Sequence, residues 1–291
     1  MMRNVLVALF STLLLSTGLA APASVSAVNL PAWIERGSTV RPLMPGQTLE
    51  AGDVLRTGKG GRILLTLPEG SQIKLGEQAV FRADNLNVSD GRKSPFSAAV
   101  QVLQGAFRFT TGALYKLRQR EVDIKVATIT AGIRGTDIWG KSDNEKDLVC
   151  LLEGSISVAH EGEQGFQTMD SPLDFYVAPK GKPALPIAKV DINKVINEWA
   201  PQTEPQAGQG LMSATGKWRL VLVQSDTQEQ VLGWYDRLRA AGYPARVRPM
   251  ADGKYRVSVE QLASAADAKA LGERLKAELG VPVQQVIGMG R

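Results

Sequence analysis

The chain has one cysteine, Cys150, and one histidine, His160. A lone cysteine excludes an internal disulfide even in an oxidising compartment. Metal sites built on imidazole or thiolate need several such ligands, and one of each excludes them. GxSxG, HExxH, P-loop and GxGxxG patterns are also missing, so neither a cofactor nor enzymatic chemistry is expected. Asp143 and Glu145 fall in the charged run 141–147, which reads as an exposed hairpin tip rather than a pair of catalytic carboxylates. Cys150 lies among Leu148, Val149, Leu151 and Leu152, where a small buried hydrophobe fits better than a reactive thiol. After residue 21 no apolar run reaches the roughly 20 residues needed to cross a bilayer.

What is present begins with an export signal. Arg3 is the only charge before Glu35, and residues 5–21 are almost unbroken apolar sequence. Small residues follow, and Val25-Ser26-Ala27 offers the small-x-small pattern of a signal-peptidase site. Residues 1–27 are therefore expected to be a cleaved secretory signal, with earlier cuts after Ala20, Ala21 or Ala23 as alternatives. An uncleaved anchor is disfavoured by Ser11, Thr12, Ser16, Thr17 and Gly18 within the stretch and by Pro22 after it. No cysteine near the cut offers a lipid attachment point, so a soluble periplasmic protein without stable membrane insertion is expected.

The formal charge of +5 becomes +4 without Arg3, and 12 basic against 8 acidic residues place all of that excess in 217–291. Such asymmetry suggests two modules. Residues 28–185 carry short apolar runs separated by glycine turns, among them Arg62–Leu67, Gln72–Leu75, Val100–Leu103, Phe107–Thr110, Val122–Thr128, Asp147–Leu152 and Ile156–His160. No sustained helical period appears, so an all-β sandwich or solenoid-like stack is expected.

The glycine turns carry a resemblance. Gly52-Asp-Val-Leu-Arg-Thr-Gly58, Leu67-Pro-Glu-Gly-Ser71, Leu103-Gln-Gly105, Val126-Ala-Thr-Ile-Thr-Ala-Gly-Ile-Arg-Gly-Thr-Asp137 and Leu152-Glu-Gly-Ser-Ile-Ser-Val158 together resemble the FecR domain. That resemblance implies an extracytoplasmic β-rich module of the kind found in iron-transport regulators and other exported proteins, here with an envelope protein as partner. The regulators look like a sigma-factor-binding segment and a membrane helix placed ahead of the domain. Nothing comparable precedes Met1, so transmembrane signalling is not implied. Gly58, Gly70, Gly135 and Gly154 are expected to supply positive φ or close backbone approach, and Arg134 and Thr136 to fix a turn through backbone carbonyls.

Residues 186–216 read as a Pro-rich linker, with a short helix over 189–199 that places Val190, Val195, Ile196 and Trp199 on or near one face and packs on the first domain. The segment 202–210 reads as polar and flexible.

In 217–291 the order is βαββαβ. Trp218–Val223 forms the first strand; Ser225 and Gln228 have capping-box spacing; Val231, Leu232, Tyr235 and Leu238 recur at helical spacing up to Gly242. A hairpin turns at Ala251-Asp252-Gly253, Ser264 caps a second helix that ends at Gly280, and 281–287 forms the last strand. This order predicts a ferredoxin-like antiparallel sheet with both helices on one face, so the whole chain is an α+β multidomain protein. Alternation places Arg219, Val221, Val223, Arg246, Arg248, Lys254, Arg256 and Ser258 on the uncovered face. Five cations there make a candidate binding surface.

Residues 217–287 resemble the SPOR (sporulation-related) domain through Arg237-Leu-Arg-Ala-Ala-Gly-Tyr-Pro-Ala245 and Tyr255-Arg-Val-Ser-Val259. The resemblance implies binding of peptidoglycan, notably glycan strands lacking stem peptides. Arg219, Val221, Arg246, Arg248, Arg256 and Ser258 are the implied glycan-binding residues. The chain departs from that family at two turns. Val221 replaces an open-face glutamine and Val223-Gln224-Ser225 a Gly-small-Phe turn, while Glu260-Gln261-Leu262 replaces Gly-Pro-Phe. These departures leave open an alternative, an envelope sensory or protein-interaction module that binds no glycan. A nucleic-acid partner is excluded by compartment and by the lack of open-face aromatics.

Overall fold

The computed structural model describes residues 22–86, 96–112, 120–133 and 135–289. Residues 1–21, the apolar stretch read from sequence as the core of an export signal, and Arg134 lie outside the described residues. The first strands are β1 (Ser24–Asn29), β2 (Ala32–Arg36), β3 (Thr39–Pro42), β4 (Val54–Thr57), β5 (Arg62–Thr66), β6 (Gln72–Leu75) and β7 (Val80–Asn85). They are followed by β8 (Phe96–Thr110), β9 (Arg120–Val126), β10 (Ile129–Ile133), β11 (Asp137–Ser142), β12 (Lys146–Glu153) and β13 (Ile156–His160). Strands β14 (Gln167–Met169), β15 (Asp174–Pro179) and β16 (Ala188–Lys189) complete the first domain.

They form two sheets. One runs β1-β5-β6-β8-β11-β12-β15-β16 and the other β3-β2-β4-β7-β8-β9-β10-β13-β14. Of the two expected β architectures, the sandwich is the one observed, with a shared apolar core that includes Ile34, Leu55, Phe81, Phe109, Ile124 and Val158. Strand β8 belongs to both sheets. Its N-terminal part pairs with β7 and β9, and Gly105–Thr110 pairs with β11. The sequence reads as two strands here because the crossing falls at Gly105, which has φ +88° and passes so close to Ala79 that a Cβ would lie 2.6 Å from its Cα. Only glycine meets both demands. Of the other motif glycines, Gly70, Gly135 and Gly154 take positive φ, and Gly58 serves by close approach to Pro31 and Trp33. Thr136 acts through its backbone, which exchanges bonds with Thr111, while its own hydroxyl is buried without a partner among the described residues.

β1 begins inside the stretch read as leader. Ala23 and Val25 are buried, Ser24–Asn29 pairs with β5, and the Ser26 hydroxyl hydrogen-bonds that of Thr66 at 2.6 Å. The folded first domain therefore starts before residue 28.

The linker is largely docked. A helical run, Ile192–Lys194, Val195–Trp199 and Ala200–Gln202, covers the outer face of the first sheet. Trp199 stacks on Trp139 at 4.8 Å between ring centroids, and Val195, Ala106, Leu148 and Cys150 share that small apolar cluster. Ile196 points away and is 58% exposed, so it leaves the face expected from spacing because the run tightens and widens through π and 3-10 turns. Cys150 is fully buried, and burial pushes its thiol up to about 12. Glu204 reaches both Lys74 and Arg108. The polar segment after it is held by Asn29, whose amide bonds the backbone of Gln206 and Gln209.

Strand β17 (Leu211–Ser213) pairs with β1 and, through Met212, with Leu262 of the last domain. That domain contains β18 (Trp218–Ser225), α1 (Gln228–Ala240), β19 (Arg246–Pro249), β20 (Tyr255–Leu262), α2 (Ala265–Leu279) and β21 (Gln285–Gly288). Its sheet is antiparallel in the order β21-β18-β20-β19, the expected ferredoxin-like arrangement. Ser264 caps α2 by accepting from Asp267 N, and Gly280 ends it with φ +67°. Ser225 does not cap α1. Thr227 precedes the helix, and Ser225 accepts from Thr227 N at the end of the strand.

The last domain docks on the first. Trp33 Nε1 donates to Ala240 O, Ala32 N donates to Gly242 O, and a Cβ at Gly242 would meet the Trp33 ring at 2.6 Å. Leu211 N also donates to Asp267, a 1% exposed carboxylate.

Candidate functional site

The helices α1 and α2 cover one face of the C-terminal sheet, burying Leu220, Leu222, Val257 and Val259. Directly paired residues of antiparallel strands share a face. Pairing of Val221 with Ser258, Ser258 with Arg246, and Arg256 with both Arg248 and Gln224 therefore assembles the opposite face. Arg219 joins it from β18, and Glu260 joins it from β20 by alternation after Arg256 and Ser258.

Val223 does not. A bulge between Val221 and Val223 turns both Leu222 and Val223 into the core and brings exposed Gln224 onto the open face beside Arg256. Strict alternation cannot foresee such an insertion. Lys254 lies exposed in the hairpin before β20 rather than among the strand residues.

The centre of the face is Glu260. Its side chain is 7% exposed and meets three guanidinium groups: Arg219 Nε at 3.0 Å, Arg248 Nε at 3.3 Å and Arg246 Nη1 at 3.5 Å. Burial alone would push this carboxyl up, but the Arg248 hydrogen bonds and the charges of Arg219, Arg248 and Arg246 outweigh it and hold the group below the usual carboxylate range. The sequence reading passed over Glu260 because it stands where a turn motif was expected. Alternation from Arg256 and Ser258 was the signal that could have found it.

Arg256 is different. It forms no side-chain hydrogen bond or ion pair among the described residues, and its Nε is buried without a partner. Burial, then the like charges of Arg219 and Arg248, lower its pKa against the pull of Glu260, although a guanidinium stays cationic throughout. Val221 and Ser258 are both 0% exposed. They lie on the face away from the helices. The accessible part of the predicted set is therefore Arg219, Arg246, Arg248 and Arg256, with Gln224 and Glu260 added.

Elsewhere, a polar cleft of about 240 Å³ opens beside the Gly105 crossing, lined by Glu77, Gln104, Lys141, Asp143 and Gln202 among others. Asp143 and Glu145 occupy a hairpin tip as expected. Asp147 is instead fully buried against Lys180 and Thr128. Among the described residues no group of three or more His, Cys, Asp or Glu could hold a metal ion. No helix among them is long and apolar enough to cross a membrane.

Comparison with known proteins locates two domains in the chain. The family model of the FecR protein matches residues 53–157, and that of the SPOR domain matches residues 214–285. The chain thus carries a FecR domain and a C-terminal SPOR domain. The structure extends the β-sandwich beyond the first match on both sides, from β1 to β16. No curated protein gives a match. Two crystal structures of a protein described as an anti-sigma factor from Parabacteroides distasonis ATCC 8503, at 2.50 Å and 1.65 Å, are 13% identical to this chain. They cover 82% and 81% of it, and 98% and 99% of their own chains, with a TM-score of 0.39 for each. At that TM-score the likeness carries no argument.

Proposed function

We propose that this is a non-enzymatic periplasmic protein of the cell envelope that binds peptidoglycan glycan strands through the open face of its SPOR domain. The FecR domain holds that face in place and engages an envelope protein. The observation that carries the reading is the face itself, with four arginines against one glutamate on the side of the sheet opposite the helices. A glycan strand is long, flat and rich in hydroxyls, and without stem peptides each muramyl unit exposes a carboxylate. Such a ligand matches a shallow sheet with an unpaired cation and an exposed amide better than it matches a closed pocket.

The test is retention of the mature full-length protein on purified sacculi, with and without amidase treatment. Retention should rise after the amidase removes stem peptides, and Arg256→Glu should lower it at least about tenfold, since it replaces the unpaired cation with a repelling charge. Absence of wild-type retention on treated sacculi would sink the proposal. It would favour the second reading, an interaction module without glycan affinity. That reading draws on Glu260, which already occupies three of the four arginines.

We also infer that the signal is cut upstream of Ser24, after Ala20, Ala21 or Ala23, rather than after Ala27. A cut after Ala27 would delete buried Val25 and the Ser24 to Ala27 part of the β1–β5 ladder. N-terminal sequencing of protein recovered from the periplasm decides this, and a mature chain beginning at Val28 refutes it.

A further inference from the structure

Glu260 sits at the centre of the open face, and its position has a consequence for which anions that face accepts. Three guanidinium groups converge on one carboxylate that is itself 6% exposed. The carboxylate is fixed to a central strand between β18 and β19. Three guanidinium contacts hold it against displacement by a competing anion. A phosphate or sulfate seeking Arg219, Arg246 or Arg248 must share each with Glu260 and approach its negative charge. Arg256 faces no such competitor, because no side-chain partner among the described residues holds it.

We propose that Glu260 is a specificity-determining residue: by clamping Arg219, Arg246 and Arg248 it makes the face accept a sparsely charged carboxylate glycan and reject dense polyanions. This rests on the glycan-binding reading above and says which anions are refused. A dense polyanion gains affinity by neutralising many cations at once, releasing counterions at each contact. Four free arginines on neighbouring strands would suit that mode. With three of them committed to Glu260, Arg256 is the arginine of the face without an ion-pair partner among the described residues, flanked by exposed Gln224. One cation beside an amide suits a chain whose carboxylates are separated by neutral sugars.

The experiment compares binding of the mature full-length protein to immobilised heparin and to amidase-treated sacculi across a salt series. Glu260→Gln should bind heparin about tenfold tighter than wild type at low salt, with a steeper fall as salt rises. The ratio of heparin to sacculus retention should rise accordingly. Because Glu260→Gln crowds like charges and could unfold, Glu260→Gln/Arg219→Gln is the second variant. It restores the wild-type net charge yet leaves Arg246 and Arg248 unclamped, and it should still bind heparin at least about threefold tighter than wild type. If the double variant returns to wild-type heparin affinity, net charge alone explains the effect and the clamp is refuted. Unchanged heparin affinity in both variants refutes it as well. Failure of wild-type protein to bind sacculi strikes the glycan reading alone, since the heparin arm does not depend on it.

Discussion

In the first domain the buried carboxylates Asp53, Asp137 and Asp147 each have one cationic partner, whereas in the SPOR domain Glu260 has three. Asp53, 1% exposed, takes two bonds from Arg36 at 2.8 and 2.7 Å and a third from Glu50 N. Asp137 takes a similar fork from Arg108 at 2.9 and 2.7 Å. Asp147 meets Lys180 and Thr128, each at 2.6 Å. In these clusters no cation is left in surplus: Arg36 is shared by Asp53 and Glu50, and Arg108 by Asp137 and Glu204. Around Glu260 the count is uneven, and with Arg256 the face keeps three positive charges more than it needs. Matched clusters serve the fold, since nothing is left to recognise. A surplus of cations held on an uncovered face is the feature on which the proposed binding reading rests.

The matched cluster should fail in stability without touching recognition. Arg36→Met strands Asp53 in the core with a single backbone bond from Glu50. Breaking a buried pair from one side typically costs about 3–5 kcal/mol, and because Arg36 is 29% exposed we expect the lower end, about 3 kcal/mol. Urea unfolding would read it as a lower midpoint. Sacculus retention by the folded fraction should match wild type. A loss under about 1 kcal/mol would show that Asp53 relaxes toward water and that the matched clusters are less closed than their geometry indicates.

How far these two regions were legible in sequence follows the range of the interactions that make them. The βαββαβ order was readable because its punctuation is local: Gly242, Gly253, Ser264 and Gly280 each act within a few residues. The first domain was readable as β, with sandwich and solenoid-like stack both left open, since the Gly105 crossing depends on Ala79 from another strand. The docked linker was half legible. Trp199 and Val195 suggested packing, but the partner Trp139 lies 60 residues earlier and the intervening prolines read as flexibility. The start of the first domain is set by long-range pairing in the same way. Val25-Ser26-Ala27 satisfies a local pattern, while the bonds that claim those residues come from β5 and β17. On the open face, alternation placed the arginines correctly and lost Val223 to a bulge. It passed over Glu260 because a family turn was expected there.

Acid should separate the two kinds of cluster by a smaller but sharper effect. Asp147 and Glu260 are both held below the ordinary carboxylate range; in each, burial pushes the pKa up and is outweighed. For Asp147 the opposing causes are hydrogen bonds from Lys180, Thr128 and Ser142, and for Glu260 they are Arg248 and the charges around it. A carboxylate with a depressed folded pKa contributes stability that is present above its unfolded pKa, near 4, and is lost as pH falls through the folded value. Both domains should therefore weaken below about pH 4. The consequences differ in kind. Protonating Asp147 frees one lysine that is 35% exposed and can turn to solvent. Protonating Glu260 leaves Arg219, Arg246, Arg248 and Arg256 crowded on adjacent strands with no anion among them. Added salt screens that repulsion, so at about pH 3 it should restore amide protection in 218–225 and 255–262 while changing 146–153 little. Hydrogen exchange read by mass spectrometry resolves these segments. Equal loss in both regions with no salt response would mean that the surplus on the open face is already dissipated in water, and the distinction between matched and unmatched clusters would not hold.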